Sequence, residues 1–131
     1  MKKDIVIPQV ENVEVIVACK KSPTGEKEWL VYLTNENSHS LKNIMIASTG
    51  YGEDNQQTST LRHFFDEVQP QSFVQIELID VSVFHLTNEY WVSYYVDNQM
   101  FDKQFVFDPY TIKEENLFYI PLLNMEGVYC S

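Results

Sequence analysis

The stretch Glu89–Phe107, EYWVSYYVDNQMFDKQFVF, constrains this chain more than any other. Side chains on a strand alternate between its two faces. That period puts Tyr90, Val92, Tyr94 and Val96 on one face, and Trp91, Ser93, Tyr95 and Asp97 on the other. Asp97–Met100 reads as the turn, because Asp97 and Asn98 can bond their own backbone or take positive φ. Phe101, Phe105 and Phe107 then alternate back along one face. The stretch is a β-hairpin with one strongly apolar side.

The rest of the chain repeats this grammar of short alternating runs separated by turn residues. Val13–Cys19 places Val13, Val15 and Val17 on one face. Lys20–Glu26 is a polar loop whose Pro23 and Gly25 suit a turn. In Lys27–Asn35, Trp29, Val31 and Leu33 oppose Leu30 and Tyr32, and Asn35–Ser40 is a second turn. Leu41–Thr49 sets Ile44 and Ile46 against Met45 and Ala47, and the polar stretch Gly50–Ser59 reads as an exposed loop. Thr60–Gln69 fits two patterns. Leu61, Phe64, Phe65 and Val68 match the spacing of an amphipathic helix, yet the segment lies between strands and runs into Pro70, so strand is favoured by context. Ser72–Ile79 puts Phe73, Gln75, Glu77 and Ile79 opposite Val74, Ile76 and Leu78, and Val81–Leu86 extends it or forms a short strand of its own. Near the C-terminus, Thr111 and Glu114 have the spacing of a capping box for one helical turn. Pro121 restricts Leu117–Leu123 to an edge strand or an extended tail.

These runs predict one domain over residues 1–131, an all-β antiparallel sandwich of the Ig-like size class with seven or eight strands. Residues 1–10 and 109–131 are expected to be less regular termini. At 131 residues the chain can bury a core without staples.

Charge bounds the partners. The net charge is −10. Residues 1–42 carry six basic and six acidic side chains, so residues 43–131, with three against thirteen, hold the whole excess. Phosphate contacts need clustered Lys or Arg, and only the pairs Lys2–Lys3 and Lys20–Lys21 stand together. No nucleic-acid partner is expected, and no attraction to an anionic membrane. MKKDIVIPQV is broken at Pro8 and Gln9, so it is not a signal peptide, and no run reaches the roughly 18 apolar residues of a membrane span. A cytoplasmic protein with free Cys19 and Cys130 is the expectation, a 19–130 disulfide being the alternative if the chain is exported.

Chemical motifs are few. His39, His63 and His85 lack the spacing that brings two imidazoles to one metal from a single element. Glu53, Asp54 and Asn55, and Asp97, Asn98 and Asp102, are oxygen ligands, but neither cluster alone supplies the 6–8 oxygens calcium takes. Ser38, His39 and Ser40 are adjacent, whereas a catalytic triad is assembled from separated residues, and no nucleophile-elbow motif occurs. Glu67, Glu77, Asp80 and Glu89 offer acid–base pairs only of the kind any acidic chain contains. Gly50 and Gly52 suit a turn rather than a phosphate-cradling loop. No cofactor, metal or catalytic residue is expected.

The aromatic residues remain. Alternating aromatics on strands usually face the opposite sheet. Trp91 and Tyr95, however, share a face with Ser93 and Asp97, and Trp and Tyr are enriched where proteins meet.

Trp29–Ser38, WLVYLTNENS, followed by Leu41 and Ile44, resembles the strand–Asn–Ser–Leu–strand pattern of Ig-like sandwich modules such as adaptin appendage domains. Val68-Gln69-Pro70 followed by Ile76-Glu77 continues it in order. The span from about Val13 to Phe107 also resembles an uncharacterised bacterial sandwich domain found ahead of a small MutS-related domain, which is absent here. The resemblance implies a fold and carries no functional residue across.

The sequence therefore leads to a non-enzymatic protein-interaction or self-association module. It would bind a protein partner or form a homo-oligomer through a strand edge or through the face of Trp91 and Tyr95. The alternative is a small ligand-binding protein or hydrolase with an acidic and aromatic cleft, which demands convergent carboxylates or a carboxylate–His pair.

Overall fold

The computed structural model describes residues 8–131. The first sheet contains β1 (Val13–Lys21), β2 (Lys27–Asn35), β5 (Ser72–Leu78), β8 (Phe118–Ile120) and β9 (Met125–Tyr129), in the order β5-β2-β1-β9-β8. The second contains β3 (Leu41–Tyr51), β4 (Leu61–Val68), β6 (Thr87–Val96) and β7 (Gln99–Phe107), in the order β4-β3-β6-β7. All pairings are antiparallel. The two sheets face each other as a sandwich.

The alternation read from the sequence selects the core. Val13, Val15 and Val17 of β1 and Trp29, Val31 and Leu33 of β2 point inward from the first sheet. They meet Ile44 and Ile46 of β3, Tyr90, Val92 and Tyr94 of β6, and Phe105 and Phe107 of β7. Each such side chain contributes roughly 1.5–3 kcal/mol when fully buried. The hairpin forms as expected, with Tyr90↔Phe105 and Tyr94↔Phe101 paired and Asp97 at φ +54° in its turn. Tyr94 stacks on Phe101 with ring centroids 5.3 Å apart.

Asn35 ties one corner together. Its Nδ2 donates to the carbonyls of His39, Val68 and Gln69, and its Oδ1 accepts from the Asn37 backbone. A fully buried amide is tolerated because every polar group on it is used.

The favoured readings of Leu61–Val68 and of the two cysteines hold, and two local expectations change. Leu61–Val68 is strand β4, paired along β3, so sheet pairing overrides its helical spacing. Val81–Val83 is a turn of 3-10 helix, because the Asp80 carboxylate accepts from the Ser82 N–H and turns the chain. The Thr111–Glu114 capping box is not formed: the one-turn helix Glu114–Asn116 starts after Lys113 without a side-chain cap, and Thr111 Oγ1 lies 3.3 Å from Ser131 Oγ. Cys19 and Cys130 are free thiols, both held above the ordinary value by burial first.

The largest correction concerns the C-terminus. Residues 109–131, expected to be less regular, supply β8 and β9, which brings the strands among the described residues to nine. β9 pairs with β1, and the turn after β8 folds over the outer side of the first sheet. There Ile120 and Leu123 bury Ile16, Ala18, Leu30 and Tyr32 in a second, smaller apolar cluster. Gly127 permits this approach, since a Cβ there would stand 2.7 Å from Ile16 Cγ2. Pro8–Asn12 precede β1 without forming a strand, and the rest of the expected irregular N-terminus, residues 1–7, lies outside the described residues.

Candidate functional site

Two features stand out from the packed sandwich. The first is the outer face of the four-stranded sheet. Inward residues of this sheet are buried, so the residues alternating with them face out. Cross-strand pairing arranges those neighbours in rows. Arg62, Ala47, Trp91 and Gln104 form one row across β4, β3, β6 and β7. Phe64, Met45, Ser93 and Asp102 form the next. A bulge in β3 between Lys42 and Met45, with Asn43 at φ +49°, interrupts the third, where Tyr95 pairs with Met100. Asp66 extends β4 on the same side, two residues beyond Phe64.

None of the described residues covers the large apolar members of these rows. Phe64 is 71% exposed and Trp91 52%, and Met45, Met100 and Tyr95 are also exposed. Trp91 and Tyr95, singled out from the sequence, both lie on this open face. Phe64, Met45 and Met100 join them there without a signal of their own in the sequence. Met45 was already on the outer phase of its strand. Phe64 was hidden by the competing helical reading of its segment.

The second feature lies where edge strands β4 and β5 leave the sandwich open. Glu77 sits on β5, and strict alternation would aim it outward with Phe73 and Gln75. Instead the β2–β5 register shifts between Val31 and Tyr32, so that Gln75 opposes Tyr32 and Glu77 opposes the inward-facing Val31. The irregularity turns the carboxylate inward across the gap between the sheets. Ser48 Oγ donates to Glu77 Oε1 at 2.9 Å, His63 Nε2 lies 2.8 Å from the same oxygen, and Tyr90 O–H donates to Oε2 at 2.9 Å. Three elements of the second sheet thus grip one carboxylate of the first. Burial holds the Tyr90 hydroxyl well above its ordinary value, and the neighbouring Glu77 charge and hydrogen bond add to it. Beside this node lies an open hollow of about 250 Å³, lined also by Thr49, Thr58, Leu61 and Asp80.

The chemistry available there is limited. Ser48 and His63 both engage Glu77 and are not bonded to each other. Activating a serine needs a base within hydrogen-bond reach of its hydroxyl, and Ser48 gives its proton to a carboxylate already met by two other groups.

The remaining sequence candidates do not converge. Glu67 pairs with Lys42, Glu89 accepts from the Tyr51 hydroxyl, and Asp80 caps the 3-10 turn. Of those four carboxylates, only Glu77 and Asp80 border one hollow. His39 stands at the β2–β3 turn, and His85 beside Pro109 and Tyr110 in another surface depression. Among the described residues, no group of three or more His, Cys, Asp or Glu side chains is placed to hold a metal ion, and no helix is long and apolar enough to cross a membrane. No family model, curated protein or solved structure matches this chain.

Proposed function

We propose that this chain is a non-enzymatic protein-interaction module that binds through the outer face of its four-stranded sheet. One observation carries the reading: Phe64, Met45, Trp91, Tyr95 and Met100 lie on one sheet face with much of their surface in water. Large aromatic residues contribute 150–250 Å² each when buried, and contiguous apolar patches of several hundred Å² mark interaction sites. Trp, Tyr, Met and Arg, all present on this face, are the residues enriched at interfaces.

A photoreactive amino acid introduced at position 91 in the producing cell tests this. The reading expects a cross-linked adduct, weakened by Phe64→Ser and not formed from a control position at Lys113. No adduct from position 91 would sink it.

A second reading rests on the Glu77–His63 pair beside its hollow, the combination that a ligand site demands. Its size suits a small polar molecule, since drug-sized ligands occupy about 300–1,000 Å³. Binding is favoured over hydrolysis because the carboxylate beside Ser48, Glu77, is already engaged by His63 and Tyr90. A melting-temperature screen with small polyols and amines tests it, because a ligand of the folded state raises the midpoint. A rise lost in Ser48→Ala supports the reading, and no rise with any compound counts against it.

A further inference from the structure

Resting on the interaction-module reading, we infer that the occupant of the outer face is a second copy of this chain, related by a two-fold axis that runs across the strands. The axis follows the row Phe64–Met45–Ser93–Asp102.

Opposite charges and large aromatics flank that row on either side. On β4, Arg62 stands two residues before Phe64 and Asp66 two residues after it. On β6, Trp91 stands two residues before Ser93 and Tyr95 two residues after it. Two positions along a strand are about 6.6 Å, so the members of each set stand on opposite sides of the row at similar distances. The bulge adds Lys42 and Glu67, paired with each other, beside Tyr95 and Asp66. A two-fold axis along the row reverses strand direction in the facing copy. Arg62 then meets Asp66 of the second copy, and Asp66 meets its Arg62. Trp91 meets Tyr95, and Tyr95 meets Trp91. Phe64 and Met45 lie on the row and meet their own equivalents. Such self-complementarity is what a two-fold interface requires. An axis along the strands would instead exchange β4 with β7 and put Phe64 against Asp102, an apolar ring on a charge.

Charge selects the partner as well. Two molecules of net charge −10 repel at a distance. They associate most readily where their charge is least, and the two inner rows combine apolar side chains with Arg62, Gln104 and Ser93. The Arg62 and Asp66 contacts supply attraction twice in each dimer. Asp102 is the exception: it lies at the β7 end of the axis and faces its own equivalent. This edge position is open to water, which screens the repulsion.

The size of the face sets the strength. Four strands at about 4.8 Å and three rows along them make a small contact. That is below the roughly 800 Å² per partner of a standard interface. The dimer is therefore a reversible one, formed in the micromolar range or above.

Sedimentation equilibrium of the full chain, from micromolar to millimolar concentration, tests the inference with four variants whose folding is checked by circular dichroism. The wild type is expected to show a monomer–dimer equilibrium. Arg62→Asp and Asp66→Arg each replace two attractions by two repulsions, and each is expected to weaken the dimer by about tenfold or more. Combining them restores complementarity, so the double variant should return to within about threefold of wild type. Asp102→Asn should tighten the dimer by a few-fold, and an unchanged or weaker constant overturns this axis. A wild type that stays monomeric throughout, or a double variant no stronger than its parents, overturns the inference. The cross-link from position 91 separates the two levels. An adduct with a different protein and a monomeric wild type would reject the second copy and keep the module. No adduct at all would reject both.

Discussion

The two outer faces of the sandwich are treated differently by the same chain. The first sheet presents Ile16, Ala18, Leu30 and Tyr32 outward, and the turn after β8 covers them with Ile120 and Leu123. The second sheet presents Met45, Phe64, Trp91, Tyr95 and Met100 outward, and the described chain lays nothing on them. An antiparallel sheet commonly keeps one face on the core and one in water, with polar residues on the wet side. Neither outer face obeys that rule. One is covered by the molecule itself, and the other is left bare by the described residues.

The contrast between the two faces depends most on the cover. Ile120→Ala leaves a cavity between the tail and β1, and an expected loss of about 2–4 kcal/mol follows. Urea denaturation measures it. A loss no greater than that of a surface residue would mean that the tail is not a cover.

Gly127→Ala attacks the same contact from beneath. Its new methyl group would crowd Ile16 Cγ2 and, at 3.3 Å, Ile120 Cγ1. Overpacking of this kind costs about 1–3 kcal/mol, read from the same denaturation midpoint. Unchanged stability would show that the tail can lift without loss.

The node between the sheets gives a smaller effect with a pH signature. Tyr90→Phe removes one donor to Glu77, at a cost of about 1 kcal/mol near neutral pH. The Tyr90 hydroxyl lies above its ordinary value of 10.0 in the folded protein. Its contribution is therefore complete below the unfolded value and disappears as pH rises through the folded one. Wild-type melting temperature should fall above about pH 10. Tyr94, pushed up by burial to about 12, shares this alkaline loss. Tyr90→Phe should blunt it without abolishing it, and an identical pH profile in the variant would contradict the assignment.

The smallest effect belongs to the open face. Trp91→Ser should change the stability of dilute protein by no more than about 0.5 kcal/mol, because little packing is lost there. Its effect should appear in association instead. A large loss in a dilute thermal melt would place Trp91 in the packed structure and remove the contrast between the faces.

Much of the fold was legible because side-chain alternation is a local property of a strand. Tyr90, Val92, Tyr94, Phe105 and Phe107 were assigned to the core by period alone, and their burial follows from the same geometry. Trp91 and Tyr95 were legible as the opposite phase. Phe64 was obscured, because its segment matched two periods and only pairing with β3 selects one. Glu77 was misdirected for a different reason. The register shift beside Val31 carries no Gly or Pro to announce it, so the alternation ran on in the sequence while the strand changed phase.

Side-chain alternation in the sequence is enough to imply antiparallel strands, to name residues of their shared core, and to put Trp91 and Tyr95 on the opposite phase from Tyr90 and Tyr94. Those outcomes depend on neighbours one to four residues apart. Long-range packing is what joins the C-terminal stretch to β1 over one outer face, turns Glu77 inward to Ser48, His63 and Tyr90, and leaves the other outer face uncovered by the described residues. Each of these depends on contacts between segments far apart in the chain, where a strand's period says which way a side chain points but not what it meets.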